Sequence, residues 1–401
     1  MLTMDKVNDA YRVLKGVVRH TDIQKAHTFT RKCQLFFKPE NLQKTGSFKV
    51  RGAAYKIAKL SEKEMEKGVI ACSAGNHAQG VALAAKKNGI KSIICLPEGA
   101  PISKIEATKS YGAEVCLVPG VYDDAYKKAL ELKDEFGYTF VHPFDDEDVI
   151  AGQATVAMEA LEDMPDIEAV VVPIGGGGLI SGIAYAVKNI NPKIKVYGVQ
   201  SESAPSMLNS IRDGKIETLT SVSTIADGIA VKTPGDNTFR LVNEYVDDIV
   251  TVSEKEICSA ILALIEKQKM IAEGAGAVSV AAAMFDKLPI EGKKVLSVVS
   301  GGNIDVTNLS SVLKRGLLNT GRITSITIEL MDKPGQLERV VSLISQSGAN
   351  INDIRHKRAA NTQNIYSCNL TIEMETRDFS HGEEIIDKLE KLGIKVLNNN
   401  Y

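Results

Sequence analysis

The chain has 401 residues, 44% hydrophobic and 24% charged, an ordinary globular mix that excludes disordered, collagen-like and fibrous classes. The 48 Lys and Arg against 50 Asp and Glu leave a net charge of -2, so there is no positive field to hold a phosphodiester backbone, and nucleic acid is not expected as a partner. Aromatic residues make up 5% and Trp is absent, leaving few platforms on which single strands could stack. No uncharged apolar run reaches the roughly 18 residues of a membrane-spanning helix. Residues 1–12 mix Asp5, Lys6, Asp9 and Arg12 with apolar positions instead of building a secretory leader, so the expected address is the cytoplasm and no membrane partner is expected. The six cysteines lie mostly in apolar runs, and neither C-x-x-C nor H-x-x-x-H occurs, so reduced core cysteines and no metal site are expected.

In chain order, residues 38–53 form a polar, lysine-rich segment ending in Gly52-Ala53. A short apolar run over 68–72 predicts a strand, and Ser73-Ala74-Gly75-Asn76-His77 the loop after it. Ala78, Val81, Ala82 and Ala85 recur at helical spacing over 76–87, and Asn88-Gly89 supplies a stop. Further buried strands are predicted over 91–96, 113–118, 169–173, 195–199 and 294–299, with helical stretches between them. Strands alternating with helices imply crossover connections and a mostly parallel, doubly wound α/β sheet. In such sheets ligands bind beyond the carboxyl ends of the strands, which directs attention to the loops there.

After residue 314 the rhythm changes. Residues 316–321 read as a linker. Strands over 323–330, 351–357, 365–373 and 394–397, with helices over 336–346 and 381–392, follow the order β-α-β-β-α-β, which describes a ferredoxin-like module.

Three loops and one lysine carry the chemistry. Gly175, Gly176, Gly177 and Gly178 lie between an apolar strand and a helix, where converging backbone N–H groups at the positive helix end suit a phosphate dianion. Neither G-x-G-x-x-G nor G-x-x-x-x-G-K-[ST] is present, so nicotinamide and nucleoside-triphosphate fingerprints fail; a tight strand-to-helix turn is the plain alternative. Ser73 to His77 and Ser300-Gly301-Gly302-Asn303 end two other strands and suggest one anion-rich pocket, although each could be only a helix cap. Lys49 sits in Thr45-Gly46-Ser47-Phe48-Lys49-Val50-Arg51-Gly52. A lone lysine is normally a solvated charge, but a desolvated one can form a Schiff base with a carbonyl, as a pyridoxal cofactor requires.

These segments together resemble the fold-type II pyridoxal-phosphate enzymes, specifically the threonine/serine dehydratase (threonine ammonia-lyase) family. The matching parts are the lysine motif over 38–53, the substrate loop over 73–80, the phosphate loop over 175–178 and the ring-nitrogen loop over 300–303, four ordered motifs on one chain. The tail resembles an ACT domain through Leu330-Met331-Asp332-Lys333-Pro334-Gly335-Gln336-Leu337. The resemblance implies a two-lobed, tryptophan synthase β-like catalytic domain over 1–316, a linker over 317–322 and a ferredoxin-like ACT domain over 323–401.

Carried over residue by residue, it implies that Lys49 holds pyridoxal 5'-phosphate and removes the substrate Cα proton, with Phe48 beside it. Gly175 to Gly178 would bind the phosphate, Asn76 the cofactor 3'-oxygen, and Ser300 the pyridine nitrogen, while Ser73, Ala74, Gly75, Asn76 and His77 would receive the substrate carboxylate. Glu40, Asn41 and Arg51 fit structural supports. A hydroxyl at 300 does not force ring protonation, which favours β-elimination. Racemases of this family carry a serine where Ala74 stands, and Gln200 stands where a cation-binding relative would place an acidic ligand. The implied activity is deamination of L-threonine to 2-oxobutanoate and ammonia, with L-serine as a second substrate. The alternatives are L-serine as the main substrate, a non-catalytic amino-acid sensor and a nicotinamide oxidoreductase. Asp332, Gly335, Gln336 and Leu337 would take an amino-acid or nucleotide effector, or the tail would serve only in dimerisation. The resemblance also implies a homodimer or homotetramer.

Overall fold

The computed structural model of the protein describes residues 1–358 and 366–400. Two compact units divide the chain, Met1–Asp305 and Val306–Tyr401.

The first unit contains two sheets. The larger has six strands in the order Gln24–Lys25, Gln34–Pro39, Lys294–Val299, Ala169–Pro173, Lys195–Ser201, Asp248–Val252. All its pairs are parallel except the first. The smaller has four parallel strands in the order Glu114–Val118, Ser92–Pro97, Val69–Cys72, Thr139–Phe140. Ala169–Pro173 and Val69–Cys72 are buried along their whole length, as strands covered on both faces must be, and this is why their sequences read as unbroken apolar runs. Periodicity alone does not show that these strands divide between two sheets, because each run fits a buried strand of either. Gln34–Pro39 departs from such a run: it reads Leu-Phe-Phe-Lys-Pro after Gln34, and it enters the sheet beside Lys294–Val299.

Helices Lys49–Ala58, Asn76–Lys87, Glu147–Asp163 and Gly178–Ile190 bring Ala53, Ala78, Ala82, Ala151, Ala154 and Ala184 into one shared core. Small residues at these positions let helix backbones approach closely.

A charged cluster lies inside this apolar mass. The fully buried guanidinium of Arg51 bridges Glu40 (Nε to Oε2, 2.7 Å) and Glu159 (Nη1 to Oε1, 2.7 Å), and Lys38 Nζ reaches Glu159 Oε2 at 2.8 Å. Burial alone would push the Glu159 carboxyl up; the hydrogen bonds and charges of Arg51 and Lys38 overcome it and hold the group down at about 2. Such a cluster ties the first turn of the helix that begins at Lys49 to the strand end at Pro39 and to helix Glu147–Asp163. Removing one partner would leave an uncompensated buried charge.

In the second unit, helix Val306–Asn319 precedes an antiparallel sheet in the order Asn350–Arg358, Ser367–Glu375, Ile323–Met331, Lys395–Asn400. With helices Gln336–Gln346 and Phe379–Lys391 this is the ferredoxin-like order read from the sequence; Ile365, expected as a strand start, lies outside the described residues. Ile326, Ile328, Leu330, Leu370, Ile372 and Met374 alternate with less buried neighbours and meet Val340, Ile344, Ile385 and Leu389 of the two helices. Residues 316–319, read as linker, instead complete the first helix of this unit, with Gly316 buried. Leu317 and Leu318 continue its apolar pattern, which outweighs the glycine.

Candidate active site

Loops from the carboxyl ends of both sheets meet around a cavity of about 840 Å³. Its wall holds Phe48, Lys49, Ser73, Ala74, Gly75, Asn76 and His77, together with Gly175, Gly176, Gly177, Gly178 and Ser300. All twelve residues picked out from the catalytic motifs are thus brought together, on loops from two sheets.

Lys49 opens its helix at the cavity edge. Backbone bonds fasten the segment before it: Phe48 N–H donates to the Ser300 carbonyl at 3.1 Å, and Ser47 and Gly301 form an antiparallel bridge. Lys49 Nζ donates to the Pro143 carbonyl at 2.7 Å and lies 5.3 Å from the centroid of the Phe48 ring. Its remaining exposure is to the cavity, yet dense protein surrounds it, and burial brings its ammonium down to about 8 against the opposing pull of Glu273. About a tenth of the amine is therefore neutral, and nucleophilic, at pH 7, far more than for an ordinary solvated lysine.

The turn of four glycines lies at the amino end of helix Gly178–Ile190, where first-turn N–H groups have no partner within the helix. Gly177 adopts φ +97°, and a Cβ there would stand 2.7 Å from Thr238 Cβ; at Gly176 it would stand 2.5 Å from the Phe144 ring. Side chains are excluded from the turn, so its donors stay uncovered. Thr238 Oγ1 donates to the Gly176 carbonyl at 2.6 Å and fixes the turn from behind.

Asn76 is held by both ends of its amide. Asn303 Nδ2 donates to Asn76 Oδ1 at 2.7 Å and to the Thr45 carbonyl at 2.7 Å, while Asn76 Nδ2 donates to Glu273 Oε1 at 2.6 Å. One amide hydrogen of Asn76 is left for a ligand. Ser300 Oγ is buried and donates to the Ala275 carbonyl at 3.3 Å, a long contact. His77 bonds the Val141 carbonyl through Nε2 at 2.8 Å, and burial, helped by the Lys49 charge, brings its imidazole down to about 3. It is neutral, and its Nδ1 is buried with no partner among the described residues. His142 is likewise pushed down by burial, and its Nδ1 accepts from the backbone of Asp145 at 2.7 Å.

Sequence reading missed Glu273. This residue is almost fully buried, and burial together with the nearby Asp227 charge pushes its carboxyl up to about 7, against Asn76, Lys104 and Lys49. Its one signal in the sequence is an acidic residue placed directly before Gly274–Met284, a helix buried along nearly its whole length. Lys104 and Asp227, an ion pair at 2.6 Å on the cavity wall, and Asn303, quoted in its loop without a role, carried no separate signal.

A buried amine, uncovered backbone donors for an anion, one directed amide and one hydroxyl form a donor set that fits a phosphorylated pyridine aldehyde.

The residues proposed for an effector lie in the second unit. Asp332 to Gly335 form the turn between strand Ile323–Met331 and helix Gln336–Gln346; Asp332 Oδ2 meets Arg358 Nε at 2.8 Å, Gly335 has φ +83° and Leu337 is exposed.

Comparison with known proteins agrees with this geometry. The family model of pyridoxal-phosphate dependent enzymes matches residues 14–301, and that of the ACT domain residues 318–393. The L-threonine ammonia-lyase of Thermotoga maritima is 49% identical over 398 residues, 99% of each chain. The catabolic L-threonine dehydratase of Escherichia coli K12 is 46% identical over 315 residues, 78% of this chain and 96% of that one. Among solved structures, the processed threonine deaminase isoform 2 of Solanum lycopersicum superposes with a TM-score of 0.75 at 36% identity, covering 79% of this chain and 88% of that one. Maize serine racemase gives 0.74 at 37% identity over 79% and 98%. The chain belongs to the pyridoxal-phosphate dependent enzymes of the tryptophan synthase β-like fold and carries a carboxyl-terminal ACT domain.

Proposed function

We propose that this chain is an L-threonine ammonia-lyase that converts L-threonine to 2-oxobutanoate and ammonia and deaminates L-serine to pyruvate more slowly. The observation that carries the reading is the Lys49 amine, brought down to about 8 by burial, in one cavity with the uncovered glycine turn and the Ser300 hydroxyl. Near-complete alignment with an L-threonine ammonia-lyase at 49% identity supports the substrate.

Pyridoxal phosphate, when bound, supplies an electron sink for negative charge at the substrate Cα. Gly175 to Gly178 would hold its phosphate through backbone N–H groups, and Asn76, oriented by Asn303 and Glu273, would offer its free amide hydrogen to the 3'-oxygen. Lys49 would anchor the group covalently and, as a free amine, would take the Cα proton on Nζ. Ser73 to His77 receive the substrate carboxylate at the amino end of helix Asn76–Lys87. Ala74, which lines the cavity, offers no proton for return to the opposite face of Cα, so loss of the β-hydroxyl wins over racemisation. Glu273, with its carboxyl near 7, is a positioning residue acting through Asn76.

Purified protein supplied with pyridoxal phosphate is expected to form 2-oxobutanoate from L-threonine; no product from either threonine or serine would overturn the reading. The ACT domain is proposed to regulate the reaction through Asp332, Gly335, Gln336 and Leu337, with an amino acid or nucleotide as effector. Rates of the full chain with isoleucine, valine or adenine nucleotides should change, and the change should be lost in Asp332→Asn. We further propose a cytoplasmic homodimer or homotetramer; among the described residues no helix is long and apolar enough to cross a membrane.

A further inference from the structure

The second unit holds a group of three side chains of which two, His356 and Cys368, have no part in the proposed catalysis or regulation. Asp332 follows the first strand of its sheet, His356 lies on the edge strand Asn350–Arg358, and Cys368 lies on the strand between them, Ser367–Glu375. Register explains how they meet. Cys368 is opposite Leu330 on one side and Arg358 on the other, and His356 is opposite Leu370. With a side-chain period of two, residues 332, 356 and 368 share one face at one end of the sheet. Their carboxylate, imidazole and thiol ligand atoms all lie within 4.8 Å of one another.

We propose that Asp332, His356 and Cys368 form a binding site for one zinc-like divalent cation, with a fourth position open to water. The donor set decides the metal. One sulfur, one nitrogen and one oxygen suit a tetrahedral borderline-soft ion and exclude magnesium and calcium, which take oxygen ligands. Bonds of about 2.0–2.3 Å at tetrahedral angles place ligand atoms about 3.5 Å apart, so these three must draw together by no more than about 1.3 Å. Two of them can do so, because Asp332 and His356 are exposed while Cys368 is buried and fixed.

Binding forms metal bonds to sulfur, nitrogen and oxygen, breaks the S–H bond of Cys368 and releases its proton to solvent. The Cys368 Sγ contact to the Leu330 carbonyl, 3.4 Å, and the Asp332–Arg358 ion pair, 2.8 Å, must open. Both are weak competitors: one is a thiol bond, the other a pair whose arginine side chain is 80% exposed. The three ligands stand 24 and 12 residues apart in the chain, so no short spacing motif announces them.

The test uses the full-length, cofactor-loaded protein and cobalt(II) as probe. Difference spectra should show d–d bands of tetrahedral intensity and a thiolate-to-cobalt band, saturating at one cobalt per chain and displaced by zinc. His356→Gln, at an exposed position that should not disturb folding, should weaken cobalt affinity at least tenfold, and Cys368→Ser should remove the thiolate band. Octahedral-intensity bands, no saturable binding, or binding unchanged in both variants would overturn the proposal. Circular dichroism matching the parent shows that a loss in Cys368→Ser is not misfolding.

Discussion

The two units handle polar groups in opposite ways. In Met1–Asp305 the decisive charges are inside: Arg51, Glu40, Lys38 and Glu273 are almost wholly removed from water, each within 3 Å of a partner. In Val306–Tyr401 the polar groups of interest, Asp332, His356 and Arg358, lie at one end of a sheet and face solvent. Buried partners create perturbed acidity, and with it chemistry; exposed partners can rearrange around a ligand. Substitutions in the first unit should therefore cost turnover or folding, and those in the second should alter binding while leaving both nearly intact.

The largest expected effect is at Lys49. Lys49→Ala should lower turnover by about 10³-fold or more, measured as 2-oxobutanoate formed from L-threonine, with folding unchanged by circular dichroism. In the apoprotein, capture of pyridoxal phosphate should speed up as pH rises through about 8, because only the neutral amine attacks; an inflection near the ordinary lysine range would break the link between burial and reactivity.

Next comes the buried cluster. Arg51→Met leaves Glu159 with Lys38 alone and Glu40 buried without its cation, and should cost about 3–5 kcal/mol in urea unfolding. Should the loss stay below about 1 kcal/mol, as for a surface pair, the contrast between the units would lose its basis.

Glu273→Gln keeps an acceptor for Asn76 but removes the charge. The carboxylate accepts more strongly than the acid, so the parent enzyme should lose turnover as pH falls through about 7, where this group titrates. In the variant kcat should be about tenfold lower and that inflection absent, with KM for threonine nearly unchanged. A shift in KM alone would mean that Glu273 serves substrate binding instead of cofactor orientation.

The smallest effect belongs to the second unit. Arg358→Ala removes an exposed ion pair and should change stability by less than about 1 kcal/mol, with threonine turnover in the absence of effectors unaltered.

How far the sequence carried this picture depends on how local each signal is. The strands Ala169–Pro173 and Lys294–Val299 and the helix Asn76–Lys87 were readable to the residue, since continuous burial and helical spacing are written into consecutive positions. The turn at Gly175 to Gly178 was equally legible, because only glycine fits where Phe144 and Thr238 press against the backbone. Division of the strands into two sheets was implied by the resemblance and not by periodicity, since pairing partners lie far apart in the chain. The strand Gln34–Pro39 was missed because its last residues, Lys38 and Pro39, break the apolar run. Glu273 was missed for a related reason: its importance comes from Asn76, 197 residues away, and from the depth at which the fold buries it. Residues 316–319 were misread because a buried glycine in a helix looks like a linker glycine until packing is known.

The central claim is that burial of Lys49 makes one cavity both a pyridoxal-phosphate site and an eliminase. The most direct test records the visible spectrum of the purified, cofactor-loaded protein before and after L-threonine is added, with 2-oxobutanoate assayed in the same cuvette. A yellow band that shifts on addition while 2-oxobutanoate accumulates, with both lost in Lys49→Ala, is the predicted result. A protein that stays colourless and inert after incubation with pyridoxal phosphate would contradict it.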